Sequence, residues 1–172
     1  MNLFEKKIPP ELVRKFQKAL STAIAEIPDS DVDKSVDPSF DTKYFSKKTA
    51  RDAALLSGAL SMWPGPAGFL TILPDLVGVW RLQAQLVADI AAAHGKTKIL
   101  SKEVMARCLF GHLGGDAVAD ILARGGQRIL ATRLTGRLAA RWVPFVGAGV
   151  LAAYSYQDTI RVGENAHNAF GS

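Results

Sequence analysis

The first candidate for chemistry in this sequence is a ladder of polar side chains that follows Gly111. His112, Asp116, Asp120 and Arg124 recur every four residues, so an uninterrupted helix would stack them on one face. One histidine and two carboxylates are possible metal ligands. The helical rise, however, sets the outer two of those ligands about 12 Å apart, which is too far for one ion. We expect a salt-bridged face without metal, in which Asp120 pairs with Arg124 and Asp116 pairs with His112.

A second acidic cluster, DSDVDKSVD, has the alternating carboxylates of a calcium-binding loop. Asp29, Asp31 and Asp33 occupy the first ligand positions of such a loop. Lys34 stands where the loop needs glycine, and Phe40 stands where the closing glutamate belongs. We therefore interpret this stretch as a solvated linker and expect no bound cation.

Patterns for covalent catalysis or cofactor binding are missing from the sequence. Cys108 lies inside the apolar run MARCLF, and no serine occupies a G-x-S-x-G elbow. The three histidines are scattered, and neither a phosphate-binding loop nor a dinucleotide fingerprint occurs. We expect no cofactor, no metal and no enzymatic activity.

The strongest charge pattern is a basic segment near the C-terminal third. Residues 121–141 hold five arginines and no acid, whereas residues 26–41 hold six acids and one lysine. A leucine row that ends at Trp142 runs beside Arg133, Arg137 and Arg141. Such a face suits an anionic membrane surface, an acidic partner, or the protein's own core with a solvated edge. Nucleic acid is disfavoured because aromatic residues are not interleaved with the arginines. Arg133, Arg137, Arg141 and Trp142 are the candidate lipid-binding or partner-binding residues.

Asp75 is the only charged residue in the stretch SMWPGPAGFLTILPDL. A carboxylate in so apolar a segment is costly unless it is paired or hydrogen-bonded. It could bond to Arg51, to Arg81 or to a backbone N–H freed near Pro74, or it could line a pocket between helical hairpins. We favour the structural role and expect Asp75 to act as an internal polar tie.

Helical periodicity runs through most of the chain, and no convincing β-alternation occurs. Residues 11–27 form the clearest amphipathic helix; the sequence leaves open whether it packs on the rest of the protein or on a partner. Further helices are expected from a cap at Ser46 or Thr49 to about 62, from 66 to 94, after Ser101, over 116–124 and 127–142, and after PFVGAG to about 170. Glycines at 111, 114 and 115 should interrupt them.

The predicted helices divide the chain into three regions and indicate one fold class. Residues 1–28 are an N-terminal amphipathic helix, residues 29–45 an acidic connector, and residues 46–172 a helical domain. We expect an all-α protein, a compact bundle of about five to seven helices with two apolar hairpins broken by Gly and Pro. The longest uncharged runs, 22 and 16 residues, fit such hairpins better than membrane spans, because WPGPAG breaks the first run and the second is short.

The bulk composition places the chain in a broad class. The net charge is +5, and hydrophobic residues make up 48% of the 172 residues, which argues against a disordered chain. A single cysteine excludes an internal disulfide framework, and the charged N-terminus does not suit a signal peptide. We expect a cytoplasmic protein, peripheral on the inner face of the membrane if it binds lipid.

Residues 46–170 contain a distinctive order of sequence elements. An Arg-led helix with a small Gly-Ala element is followed by a Pro/Gly turn, an apolar segment ending in Asp, a helix with a polar glutamine stripe, and a closing glycine. The elements fall on Arg51, Gly58, Ala59, Pro64 to Gly68, Asp75, Gln83, Gln85, Ile90, Ala91 and Gly95. Their order resembles the EcsC family of bacterial helical proteins, and the tail RWVPFVGAGVLAAYSYQDTIRVGENAHNAF is similar to that family's end. This chain departs from that family's pattern at His94, Lys96 and Thr97.

The resemblance implies membrane proximity and protein partnership without an established chemistry. Our leading hypothesis is therefore a non-enzymatic EcsC-like protein that acts through protein contacts, anionic lipid contacts or both. The alternative is an immunity-type protein that binds and neutralises a toxin or effector. A lipid-processing or metal-dependent enzyme is the weakest alternative. The sequence names neither the partner nor the oligomeric state.

Overall fold

Six α-helices make up most of the residues that the structure describes. The structure is a computed structural model that describes residues 10–62, 66–126 and 146–171. In these ranges the α-helices are α1 (Pro10–Ala25), α2 (Pro38–Ser61), α3 (Pro66–Ala93), α4 (Lys102–Phe110), α5 (Gly115–Arg124) and α6 (Val146–Phe170). Short 3₁₀ turns occupy Thr97–Ile99 and Gly111–Leu113. No strand occurs within the described ranges, so the predicted all-α bundle of five to seven helices is confirmed.

Helix α2 begins earlier than the sequence pattern predicted. The Asp37 carboxylate accepts a hydrogen bond from the backbone N–H of Phe40 at 3.0 Å, and Pro38 occupies the first helical position. Aspartate at the cap followed by proline is a favourable helix start, because the carboxylate satisfies a free N–H and proline has none to satisfy. The connector that we placed at 29–45 therefore becomes helical at Pro38, and the predicted cap at Ser46 lies inside α2.

The remaining connector is held on α3 by hydrogen bonds. The Ser30 hydroxyl donates to Asp89 at 2.7 Å, and the Gln85 amide donates to the Asp29 carbonyl at 2.9 Å. Further along, the backbone N–H of Ser35 donates to the carbonyl of Ala93 at 2.8 Å. These bonds use the polar side of α3, so the acidic connector runs along that helix.

The main core lies between α1, α3, α4, α5 and the C-terminal half of α6. Phe16, Leu20 and Ile24 of α1 are buried in one hydrophobic cluster with α3 and α4. Within that cluster Trp80 and Phe110 meet edge to face, with ring centroids 6.2 Å apart. The apolar face of the first helix thus packs on the bundle, a question that the sequence had left open.

Helices α2 and α6 approach closely because the residues between them are small. The buried residues of α2 form one row of small side chains: Thr42, Ser46, Ala50, Ala53, Ser57 and Ser61. A Cβ atom added to Gly163 of α6 would overlap the Ser46 hydroxyl, and one added to Gly58 of α2 would lie 3.6 Å from the Cβ of Ala152. Residue 46 thus lies beside 163 and residue 58 beside 152, so the two helices run antiparallel.

The first predicted hairpin is formed by α2 and α3, which pack on each other. Pro74 lies inside α3. Gly95 ends this helix with a φ of +67°, and its N–H donates to the carbonyl of Ala92, as expected from the sequence. The turn of the second predicted hairpin and the predicted helix 127–142 fall outside the described residues.

Candidate functional site

The predicted ladder after Gly111 is broken between its first and second members. His112 belongs to a 3₁₀ turn, and Gly114 follows it with a φ of +99°, a conformation that suits glycine and ends the turn before α5 begins. Asp120 and Arg124 pair at 3.4 Å as predicted. The predicted pairing of Asp116 with His112 is wrong, because His112 is directed to another helix.

His112 pairs with Asp158 in the middle of α6. The imidazole Nε2 lies 3.0 Å from the Asp158 Oδ1, and both side chains are buried. The second carboxylate oxygen of Asp158 accepts a hydrogen bond at 2.9 Å from the side-chain amide of Gln83 on α3. The same amide donates to the Thr159 hydroxyl at 3.1 Å. Asp158 therefore links the 3₁₀ turn, α3 and α6.

Asp75 lies at the other end of the same interface and is fully buried. The Ser57 hydroxyl of α2 donates to its Oδ1 at 2.6 Å, and the hydroxyls of Ser57 and Ser155 lie 2.7 Å apart. A serine has one hydroxyl proton, and Ser57 gives its proton to the carboxylate. Ser155 must therefore be the donor to Ser57, and the chain of bonds runs from α6 through α2 to α3.

Together these side chains form a buried polar seam that joins three long helices and one turn. We define the seam by its members Ser57, Asp75, Gln83, His112, Ser155, Asp158 and Thr159. The sequence had offered Arg51 and Arg81 as partners for Asp75, but both of those side chains are exposed. The described bonds join serine to Asp75 and His112 to Asp158, and none of the bonds between described residues joins a serine to a histidine. The seam is suited to holding the helices in register.

Most members of the seam could not be predicted from the sequence because no motif marks them. Ser155 and Thr159 are one turn apart on α6, and Gln83 is two turns beyond Asp75 on α3. The available signal was polar residues recurring at helical spacing on otherwise apolar helices. That signal identifies buried polar positions, but it does not say which helix supplies each partner.

The other sequence-predicted candidates have different outcomes. Arg133, Arg137, Arg141 and Trp142 lie outside the described residues. Cys108 is buried, and burial raises the pKa of its thiol to about 12, so the thiolate nucleophile is disfavoured. Within the described ranges, no three or more histidine, cysteine, aspartate and glutamate side chains come together as a metal site would require.

Two histidines meet where the ends of α3 and α6 pack. The rings of His94 and His167 have centroids 5.3 Å apart. Burial, and then the charges of His167 and Lys96, lower the pKa of His94 from 6.5. His94 is therefore less easily protonated than a histidine in water.

The exposed side of α2 carries large apolar and basic side chains. Phe40, Tyr44, Arg51, Leu55 and Met62 follow one another at helical spacing on that side, with Lys43, Lys47 and Lys48 among them. Phe40 is 67% exposed and Leu55 is 73% exposed. We call these eight residues the outer face of α2. Its composition is the reverse of the buried side of α2, where all the residues are small.

None of the helices in the described residues combines the length and apolarity needed to cross a bilayer. No family model, no curated protein and no solved structure matches this chain. The resemblance to the EcsC family therefore rests on the residues quoted from the sequence.

Proposed function

We propose that this protein is a non-enzymatic, EcsC-like helical module that attaches peripherally to an anionic membrane surface, on the cytoplasmic side. The observation that carries the proposal is the outer face of α2. Four exposed apolar or aromatic side chains on this face (Phe40, Tyr44, Leu55 and Met62) can insert into the interfacial layer of a bilayer. Lys43, Lys47, Lys48 and Arg51 on the same face provide the positive charge.

The distribution of side-chain size on α2 supports an external partner for this face. A helix that only served the core would direct its largest apolar side chains inward. Here Thr, Ser and Ala face α6, and Phe, Tyr, Leu and Met face outward. Apolar side chains flanked by Lys and Arg are typical of surfaces that lie on the headgroup layer of a bilayer.

The charge pattern also favours an anionic surface. Four cations on the outer face compare with two carboxylates on the whole helix, Asp41 and Asp52. Each basic residue near an anionic bilayer contributes about 1 kcal/mol of binding free energy. The arginine-rich segment with Arg133, Arg137 and Arg141 would add to the same attraction, and the EcsC resemblance implies membrane proximity.

Vesicle flotation tests the proposal with two kinds of lipid. The protein should float with vesicles that contain phosphatidylglycerol and not with vesicles of phosphatidylcholine alone. The double variant Lys48→Glu/Arg51→Glu should weaken that binding by at least about 30-fold, which corresponds to about 2 kcal/mol for the two cations removed. Raising the salt concentration should weaken wild-type binding as well.

The matched control is Lys102→Glu/Arg107→Glu on α4, which makes the same change in net charge at two other exposed residues. Equal loss in both double variants would show an effect of net charge alone and would contradict a role for α2. Loss only in Arg133→Glu/Arg137→Glu/Arg141→Glu would move the contact to the arginine segment. Failure of the wild-type protein to bind either vesicle would refute membrane attachment and favour a protein partner, such as the toxin of an immunity pair.

A further inference from the structure

The four apolar side chains on the outer face of α2 lie along one narrow stripe of the helix. Phe40, Tyr44, Leu55 and Met62 are between 57% and 73% exposed. An α-helix turns by about 100° per residue, which places all four within an arc of about 60° around the axis. Helix α2 is 24 residues long, and Met62 continues its helical backbone with φ −71° and ψ −14°. This apolar stripe therefore runs parallel to the helix axis, so that a flat surface can contact all four side chains at once.

The apolar stripe consists of two pairs of side chains at opposite ends of α2. Phe40 and Tyr44 lie near the start of the helix, and Leu55 and Met62 lie near its end. A rise of 1.5 Å per residue puts Tyr44 and Leu55 about 16 Å apart along the axis, and Phe40 and Met62 about 33 Å apart. If α2 stood upright on a bilayer, only one of the two pairs could enter it. An orientation along the bilayer surface removes both pairs from water.

The cations of the outer face lie between the two apolar pairs. Lys47 and Lys48 flank the apolar stripe on its two sides, and Arg51 lies on the stripe itself. If either end of an upright helix were inserted, at least one of these residues would lie about 10 Å or more from the inserted pair. That distance exceeds the screening length of about 8 Å at physiological salt. A helix that lies flat brings all three cations to the level of the headgroups, where long basic side chains keep their charge in water.

Helices α3 and α6 pack on the other side of α2. Ser57, in the buried row of α2, donates to Asp75 of α3, and its hydroxyl lies 2.7 Å from that of Ser155 on α6. Helix α3 in turn holds the start of the acidic connector, through the hydrogen bonds of Asp29 and Ser30. These carboxyl-rich residues are therefore held on the side of the bundle that faces away from the apolar stripe. The separation of charge favours the same orientation on an anionic surface.

We propose that, on the premise of the membrane attachment proposed above, α2 lies parallel to the plane of the anionic bilayer with both ends of its apolar stripe inserted. Phe40 and Tyr44 enter the interfacial layer at one end, and Leu55 and Met62 enter it at the other. Amphipathic helices that lie in this layer bury their apolar face by about 5–10 Å. Because α2 is already helical and is tied to its neighbours by the seam, the contact surface is formed before binding and little ordering cost opposes it.

Nitroxide labels at the two ends of the apolar stripe measure the orientation. Cys108 is buried, so a thiol-reactive label should attach to a cysteine introduced as Phe40→Cys or Met62→Cys. On phosphatidylglycerol vesicles, the accessibility of each label to oxygen and to a nickel chelate gives its depth by electron paramagnetic resonance. The two depths should agree to within about 5 Å, one helical turn, whereas an upright helix would separate the labels by about 33 Å. The control Leu122→Cys replaces an exposed leucine of α5 and should carry its label in water.

Serine substitutions test the same orientation without a label. Phe40→Ser/Tyr44→Ser and Leu55→Ser/Met62→Ser should each weaken binding to phosphatidylglycerol vesicles about tenfold or more, because each removes one inserted pair. All four side chains are exposed, so the bundle should remain folded, and thermal unfolding of each variant checks this. Circular dichroism of the wild-type protein should show the same helix content with and without vesicles.

Leu113→Ser/Leu122→Ser is the matched control for the serine pairs. It removes two apolar side chains that are 38% and 46% exposed and lie outside α2, and it should leave vesicle binding unchanged. Equal loss of binding in this control would overturn the proposal, because exposed apolar side chains would then act without regard to position.

The same measurements separate the orientation of α2 from membrane attachment itself. Labels at clearly different depths, or loss of binding in only one of the two serine pairs on α2, would show attachment by one end; the flat orientation would then be wrong while membrane attachment stands. If the wild-type protein floats with neither kind of vesicle, attachment and orientation are both refuted. Self-association of the wild-type protein that Phe40→Ser/Tyr44→Ser abolishes would in that case assign the stripe to a second copy of this chain.

Discussion

Replacing Asp158 with alanine should destabilise the bundle more than any exposed charge change. The substitution removes the acceptor of both His112 Nε2 and the Gln83 amide, which lie 3.0 and 2.9 Å from the carboxylate. Both donors would remain buried where water does not replace the lost partner. We therefore expect a large loss of folding free energy with retention of helix content.

The expected magnitude follows from the two orphaned donors. A buried donor left without an acceptor costs about 1–3 kcal/mol, and this substitution leaves two such N–H donors. We expect Asp158→Ala to lower the free energy of unfolding by about 3–5 kcal/mol. A domain of this size has a total stability of about 5–15 kcal/mol, so the variant should still fold in the absence of denaturant.

Urea unfolding followed by circular dichroism measures this loss. The urea midpoint should fall while the slope of the transition stays constant. Arg124→Ala is the matched control, since it breaks the other described ion pair, whose Arg124 side chain is 66% exposed, and should cost less than about 1 kcal/mol. In a double-mutant cycle, His112→Ala and Asp158→Ala should show a coupling of about 1.5–3 kcal/mol. A loss under about 1 kcal/mol for Asp158→Ala, or a coupling near zero, would refute the structural role of the seam.

Two further predictions concern the titratable groups outside the seam. Cys108 should resist iodoacetamide at about pH 8 in the folded protein and react after unfolding, because burial raises its thiol pKa to about 12. Mass spectrometry measures the modification, and rapid labelling of the native protein would contradict the burial of this thiol. The pKa of His94 is lowered from 6.5 in the folded protein, so the unfolded chain takes up a proton at this residue more readily than the folded one. The contribution of neutral His94 to stability is therefore fully present above about pH 6.5 and is lost as the pH falls below that value. His94→Gln should therefore reduce the loss of urea stability between about pH 7.5 and 5, and an unchanged pH dependence would count against this cause.

Helix positions could be predicted from the sequence because most of these helices have one strongly apolar side. Leu76, Trp80, Val87 and Ile90 were expected on one side of α3, and all are buried. A helix was expected to begin after Ser101, and the Ser101 hydroxyl accepts a hydrogen bond from the backbone N–H of Val104 at the start of α4. Local signals of this kind act over a few residues, so a single sequence contains them.

The start of α2 was missed because its first turns do not have that pattern. Phe40 and Tyr44 face outward, and the inward residues Thr42 and Ser46 are small and polar. A hydrophobic period therefore does not mark this part of the helix. The Asp37–Pro38 pair was the local signal, and it carried more information than the apolar spacing.

The partners of the buried polar groups could not be predicted from the sequence. Asp75 was correctly singled out as a carboxylate in an apolar segment, but Ser57 and Ser155 were two serines among many. His112 was assigned to Asp116 from their spacing of four alone, although glycines at 111, 114 and 115 were expected to interrupt the helix there. Pairing of this kind depends on which helices pack together, and that is decided by the whole core.

The seam also has a consequence for the order in which the chain folds. Ser57 and Ser155 are 98 residues apart in sequence, and Gln83 and Asp158 are 75 apart. Helical bundles usually fold fast because their contacts are local, but these bonds require the latest of the described helices to arrive. During synthesis α2, α3 and α4 leave the ribosome before α6, with Gln83 and His112 still lacking Asp158 and the small-residue side of α2 still uncovered. Docking of α6 should therefore be the late step of folding, and the interval before it is when the nascent chain is most open to aggregation.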